Sequence, residues 1–122
     1  DVMRTGKDVP KVTPDVLLTE GLLEMTEKGL GMTAVVDADD RIRGIFTDGD
    51  LRRALDAGVD VRKTTMQEIM HERCKTIPAE DLAVEAVHLM EENKITSLLV
   101  ADENGRLTGA LNVHDLFRAG IM

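Results

Sequence analysis

Gly44-Ile45-Phe46-Thr47-Asp48-Gly49-Asp50-Leu51-Arg52-Arg53 is the stretch on which the reading of this chain turns. It opens as the end of an apolar strand and closes as the start of a helix rich in Arg, Leu and Ala. Between the two, Thr47, Asp48, Gly49 and Asp50 are residue types that cap helices. A helix start presents unpaired backbone N–H groups and the positive end of the peptide dipoles, which together favour phosphate. Thr47 can add a hydroxyl to a phosphate, and Asp50 can accept from the paired hydroxyls of a ribose. The same residues also make an ordinary N-cap between strand and helix, and this segment alone does not choose between the two readings.

The stretch occurs twice. Gly109-Ala110-Leu111-Asn112-Val113-His114-Asp115-Leu116-Phe117-Arg118 lies about 65 positions further on. The register holds well beyond the motif: Leu17 falls on Leu82, Glu20 on Glu85, Met25 on Met90, Asp37 on Asp102 and Arg41 on Arg106. Within it Gly44 falls on Gly109, Asp50 on Asp115 and Arg53 on Arg118. Such a tandem repeat is one supersecondary unit made twice, each copy covering apolar surface on the other.

Composition agrees with one compact, soluble unit. The chain of 122 residues is long enough for a single core and short for two independent domains. Apolar residues at 43% and charged residues at 31% are globular usage. A formal net charge of -8 argues against a nucleic-acid surface, which needs clustered Lys and Arg. No apolar run reaches the length of a membrane span and no signal peptide is visible. Cys74 is the only cysteine, so an internal disulfide is excluded and a reducing, cytoplasmic compartment fits. Phe46 and Phe117 are the only aromatic residues of the Phe, Trp and Tyr set, so a nucleotide base would be held by aliphatic walls and backbone.

In chain order, residues 1–10 are a polar lead-in without regular structure, and the absence of an initiator Met points to a piece of a longer protein. Lys11-Val12-Thr13 predicts a short strand, and Thr13-Pro14-Asp15 starts a helix in which Leu18, Leu22 and Met25 share a face. Gly29 and Gly31 stop it. Thr33–Asp37 and Arg41–Phe46 predict a hairpin about Ala38-Asp39-Asp40, followed by a helix from Asp48 to Ala57 that Gly58 ends. Val59–Thr65 is a linker without a helical face. The second copy repeats this order: Ile69-Met70 echoes Val2-Met3, Lys75–Pro78 echoes the first strand, and Ala83, Val87 and Met90 repeat the helical stripe. A hairpin follows from Ser97–Ala101 and Arg106–Leu111 about Asn104-Gly105, then a helix from Val113 to Ala119. Each copy thus reads strand, helix, strand, strand, helix. The fold class is α/β (α+β), a pseudo-twofold pair with units at 1–57 and 68–122 and a linker at 58–67.

A tandem pair of such units, with Gly-apolar-apolar-Thr-x-x-Asp entering the last helix, resembles a pair of cystathionine-β-synthase (CBS) domains over essentially the whole chain. The resemblance implies two copies packed through their sheets, with a cleft holding two related sites for adenosine nucleotides. It makes Thr47 and Asp50 phosphate and ribose contacts in the first copy, and Asp115 the ribose contact in the second. Asn112 stands there where Thr or Ser is usual. The cleft would also be lined by the strand starts, Lys11–Thr13 with Met32 and Thr33, and Thr76–Pro78 with Thr96 and Ser97. Further segments, among them Arg4-Thr5-Gly6, Leu30-Gly31-Met32-Thr33, Gly58-Val59-Asp60-Val61-Arg62 and His114-Asp115-Leu116-Phe117-Arg118-Ala119-Gly120, resemble bacterial arabinose-5-phosphate isomerases. In that family an N-terminal sugar isomerase domain interconverts ribulose 5-phosphate and arabinose 5-phosphate, on the route to Kdo and lipopolysaccharide, and a CBS pair follows it. The implied effector is a nucleotide or sugar nucleotide, with the activated end product CMP-Kdo favoured and AMP or ATP as alternatives.

Other chemistries have less in the sequence to carry them. His71-Glu72-Arg73-Cys74 offers two zinc-type ligands without a second pair to complete a tetrahedron, so no metal is expected and the segment reads as structural or solvent-exposed. His88 reads as a helix-boundary residue. His114, where the first copy has Gly49, is either ligand-facing or a plain helix-start residue. No nucleophile has a convincing base, so no catalytic residue is assigned. Arg53 and Arg118, with Arg52, supply either a local positive field or a solvated helix face. A pure dimerisation module without a small ligand is the alternative function. The two apolar helical stripes predict a homodimer.

Overall fold

The computed structural model describes residues 3–72, 75–81, 84–118 and 120. The first copy is β1 (Lys11–Val12), α1 (Leu18–Lys28), β2 (Met32–Val36), β3 (Ile42–Thr47) and α2 (Asp48–Asp56). A short α3 (Met66–Ile69) precedes the second copy: β4 (Thr76–Ile77), α4 (Val84–Asn93), β5 (Ser97–Ala101), β6 (Leu107–Asn112) and α5 (Val113–Arg118). Both copies have the expected order, and α3 is an addition to it. Its N-cap, Thr65, accepts from the Glu68 N–H and receives Glu68 on its own backbone, a capping box that stabilises even a single turn. The lead-in, expected to lack regular structure, carries a 3₁₀ turn at Gly6–Asp8.

Local chemistry accounts for the boundaries. Gly29 ends α1 in the left-handed conformation (φ 66°) that glycine adopts without a Cβ clash. In each hairpin one carboxylate organises the turn. Asp37 accepts from the backbone N–H groups of Asp39 and Arg41 at 2.9 and 3.0 Å. Asp102 does the same for Asn104 and Arg106, both at 2.9 Å. These backbone donors, Arg41 N–H and Arg106 N–H foremost, hold both carboxyls below their ordinary value.

The repeat survives in the backbone pairing. β1 runs parallel to β2, and β2 antiparallel to β3. The pairs Lys11↔Ala34 and Met32↔Thr47 recur as Thr76↔Leu99 and Ser97↔Asn112, and a register shift at Val35/Val36 recurs at Val100/Ala101. Among the described residues three apolar clusters hold the chain together. One joins Met32, Ala34, Val36 and Ile45 of the first sheet to Leu99 and Ala110 of the second. The others lie under each sheet's helices, and the linker residues Val59, Val61 and Met66 pack in that of the first copy.

The lead-ins cross over. Arg4 forms an antiparallel bridge to Ala110 of the second copy, and His71 forms one to Ile45 of the first. This crossing explains why Gly44 and Gly109 recur. A Cβ on Gly44 would lie 2.6 Å from the His71 carbonyl oxygen and 2.8 Å from the Met70 sulfur. One on Gly109 would lie 3.0 Å from the Arg4 carbonyl oxygen and 2.6 Å from the Met3 sulfur. Each glycine lets the other copy's lead-in approach the sheet backbone.

The helical stripes are spent internally. Leu18 and Met25 are buried, Leu22 is half-buried, and Met90 and Val87 behave alike in the second copy. Among the described residues none of the stripe is exposed, and the exposed large apolar residues are Leu17, Leu23, Leu55 and Phe117. Ala83, Leu82, Arg73, Cys74 and Ala119 lie outside the described residues. Among the described residues no helix is long and apolar enough to cross a membrane.

Candidate ligand cleft

The β3–α2 and β6–α5 junctions are both closed by reciprocal caps. The Asp50 N–H donates to Thr47 Oγ1 at 3.2 Å, and the Thr47 N–H to Asp50 Oδ2 at 2.9 Å. In the second copy the Asp115 N–H donates to Asn112 Oδ1 at 3.0 Å, and the Asn112 N–H to Asp115 Oδ2 at 3.1 Å. The N-cap reading is therefore correct, and it leaves room for the other one. Thr47 Oγ1 accepts in the cap while its own hydrogen stays available to a ligand oxygen.

Both junctions open onto one cleft of about 600 Å³ between the copies. The first copy contributes Leu30, Gly31, Ile45, the cap residues Thr47–Asp50, and Arg53. The second contributes its lead-in residues His71 and Lys75, the turn Asn93–Ser97, and Asn112–His114. Strand ends clasp the two walls: the Asp48 N–H donates to the Gly31 carbonyl at 3.0 Å, and the Val113 N–H to the Thr96 carbonyl at 2.8 Å.

Asp50 is the buried carboxylate of this cleft, 6% exposed. Its Oδ1 accepts from Arg53 at 2.6 Å and lies 2.7 Å from His71 Nε2, a pair that is ionic only when His71 is protonated. Both partners keep most of their surface in solvent, 69% for Arg53 and 61% for His71. A ligand diol that reaches Oδ1 can exchange with either. Arg53, Lys75 and Lys94 set three fixed positive charges against two carboxylates, Asp48 and Asp50. The cleft is thus locally positive in a chain whose net charge is -8.

Seven of the expected site residues meet here: Thr47, Asp50, Arg53, Thr96, Ser97, Asn112 and His114. Four do not. Thr33 is fully buried in β2 and donates to the Ala34 carbonyl at 3.1 Å. Lys11 sits on the edge strand and pairs with Asp40 at 3.0 Å. Asp115 and Arg118 pair with each other at 2.7 Å outside the cleft, where Arg4 also approaches Asp115 at 3.6 Å. Of the strand starts, Thr96 and Ser97 line the cleft, whereas Thr76–Pro78 line a separate hollow of about 560 Å³ beside Glu80, Asp102 and Glu103. Among the described residues no group of His, Cys, Asp and Glu is placed to hold a metal ion.

His71, Lys75 and Lys94 went unread as cleft residues. His71 reaches Asp50 only through the crossed lead-in, and its one trace in the sequence is the echo of Val2-Met3 in Ile69-Met70. Lys94 left a better signal. It occupies the position where α1 ends in Gly29, and its φ of 54° is left-handed. A side chain there costs about 1 kcal/mol, and such strain concentrates where a side chain has work to do.

The CBS domain family matches residues 1–57 and 66–121. Over its full length the chain is 55% identical to arabinose 5-phosphate isomerase KdsD of Pseudomonas aeruginosa, and it spans 37% of that protein. Among solved structures, a protein with CBS domains from Burkholderia ambifaria superposes with a TM-score of 0.82 at 30% identity, over 93% of this chain and 82% of that one. A CBS domain pair in complex with 5′-methylthioadenosine and S-adenosyl-L-methionine superposes at 0.85 with 21% identity, over 98% of this chain and 96% of that one, a likeness of fold. With a repeated strand–helix–strand–strand–helix unit, caps in register and two family matches over most of its length, the chain belongs to the CBS domain family as a tandem pair.

Proposed function

We propose that the chain is the regulatory, nucleotide-binding part of an arabinose-5-phosphate isomerase, with units at 1–57 and 68–122 joined by the linker 58–67. The isomerase chemistry would belong to an N-terminal sugar isomerase domain of the parent protein, acting in the cytoplasm on the route to Kdo. The effector is a nucleotide or sugar nucleotide in the cleft, CMP-Kdo before AMP or ATP. The observation that carries this reading is the meeting of both caps in one positively charged cleft. Asp50 receives the ribose diol. Lys75, Lys94 and His114 face the phosphate and carboxylate, with hydroxyls from Thr47, Thr96 and Ser97. CMP-Kdo supplies all three chemical groups, and feedback on an early step by an activated end product is a sensible regulation. Melting curves with CMP-Kdo, CMP, AMP and ATP test it. A ligand at 100 times its Kd adds about 2.7 kcal/mol of stability, a shift of several degrees. A melting temperature unmoved by all four would refute the reading.

The same reading includes a homodimer. With α1's inner face buried, the contact falls to Leu23, Leu55 and Phe117, which are 57%, 57% and 54% exposed. A monomer mass by light scattering across micromolar concentrations would refute it.

A further inference from the structure

The twofold repeat ought to make two equal clefts, one on Asp50 and one on Asp115, yet the surroundings of the two carboxylates differ. Their shared features match closely: Arg53 bonds Asp50 at 2.6 Å and Arg118 bonds Asp115 at 2.7 Å. Both carboxylates complete a cap in the same way. The difference lies in the crossed lead-in and in the cap residue. In the first copy the lead-in supplies His71, which bonds Asp50 from Nε2 and stays 61% exposed. In the second it supplies Arg4, 28% exposed, whose guanidinium spans from Asp115 Oδ1 (3.6 Å) to the Lys28 carbonyl (3.1 Å). Asn112 differs as well, its side-chain amide donating to the Leu30 carbonyl at 3.2 Å, and this bond lies in the lining of the open cleft. Thr47, its counterpart, has no amide to send across to Ile95.

The position of the Arg4 tie matters. Lys28 corresponds in the repeat to Asn93, which lines the open cleft. Arg4 therefore joins Asp115, in the cap of the second copy, to the segment that would be the opposite wall of its cleft. We propose that Arg4 staples the second ligand site shut, so that the chain takes one nucleotide where its fold has room for two. The inference rests on the nucleotide-binding reading of the open cleft. An arginine suits this role because its planar fork can satisfy a carboxylate and a carbonyl at once, which an imidazole of this reach does not do.

The test is the stoichiometry of binding by titration calorimetry on the 122-residue chain. AMP and CMP serve as probes, with the parent compared with Arg4→Ala. Arg4→Gln, which stays polar but cannot span the gap, substitutes if the alanine variant does not give a cooperative melt. The expected result is a rise from one site per chain in the parent to two in the Arg4 variant, for at least one probe. A site number equal to that of the parent in every folded variant overturns the inference. Failure of the parent to bind either probe counts against the nucleotide reading instead. In that case a site appearing only in the variants supports the staple, and its absence there overturns the staple as well.

Discussion

Replacing Gly44 by Ala tests the crossed lead-in, on which the placement of His71 depends. The new Cβ would meet the His71 carbonyl oxygen at 2.6 Å, the Met70 sulfur at 2.8 Å and Met70 Cγ at 3.0 Å. Met70 can swing away, but the carbonyl cannot, because it accepts from the Ile45 N–H at 2.9 Å while His71 N–H donates back to Ile45 at 2.9 Å. The lead-in has to lift. Overpacking of this kind costs about 1–3 kcal/mol, and loosening one bridge bond adds about 1 kcal/mol. The stiffer unfolded chain returns about 0.4–1 kcal/mol. The net loss is about 1–3.6 kcal/mol, or about 4–14 °C in melting temperature for a chain of this size. Gly49→Ala is the control: its Cβ meets Arg53 and Thr47 at 3.6–3.7 Å, ordinary contact, and alanine favours the helix. Urea and thermal melts of both variants decide the matter. A Gly44→Ala protein as stable as the parent would refute the crossed arrangement.

Lys94→Gly should raise stability by about 1 kcal/mol by relieving the left-handed backbone, while weakening an anionic nucleotide measured by titration; a gain in both would contradict the role given to Lys94. His114→Ala should weaken nucleotide binding by about 1–3 kcal/mol if the ring makes a charged hydrogen bond, and unchanged calorimetric affinity would remove it from the site. Acid sensitivity follows from the hairpin carboxylates. Asp37 and Asp102 are held below their usual 3.8 by the backbone N–H groups of Arg41 and Arg106, so their contribution is complete above that value and fades as pH falls through the lower folded value. Asp102→Asn should flatten the loss of melting temperature below about pH 4, and an unchanged acid slope would count against it.

Reading Gly44–Arg53 against Gly109–Arg118 made the architecture legible, because caps, strand register and helix stops are local and leave marks at fixed offsets. The pairs Met32↔Thr47 and Ser97↔Asn112 are the sequence register seen again in hydrogen bonds. Thr47, Asp50, Ser97 and His114 were legible as cleft residues for the same reason. The contribution of Arg4 and His71 was not, since each is positioned by a strand of the other copy and nothing in its own neighbourhood records that pairing. Asp115 matches Asp50 in type, yet it lies outside the lining of the cleft and is paired with Arg4, more than a hundred residues away in sequence. The α1 stripe of Leu18, Leu22 and Met25 has the same periodicity whether it faces a core or another molecule, so the sequence could not say that the core takes it.

The most direct measurement of the central claim is a two-dimensional amide NMR titration of the chain with CMP-Kdo, with AMP in parallel. If the cleft between the copies is the ligand site, saturation should move the amides of Thr47–Asp50, Lys94–Ser97 and Asn112–His114 together, and leave Thr33 and the turn at Asp102 in place. Shifts confined to Thr76–Glu80 and Asp102, or none with either ligand, would contradict it.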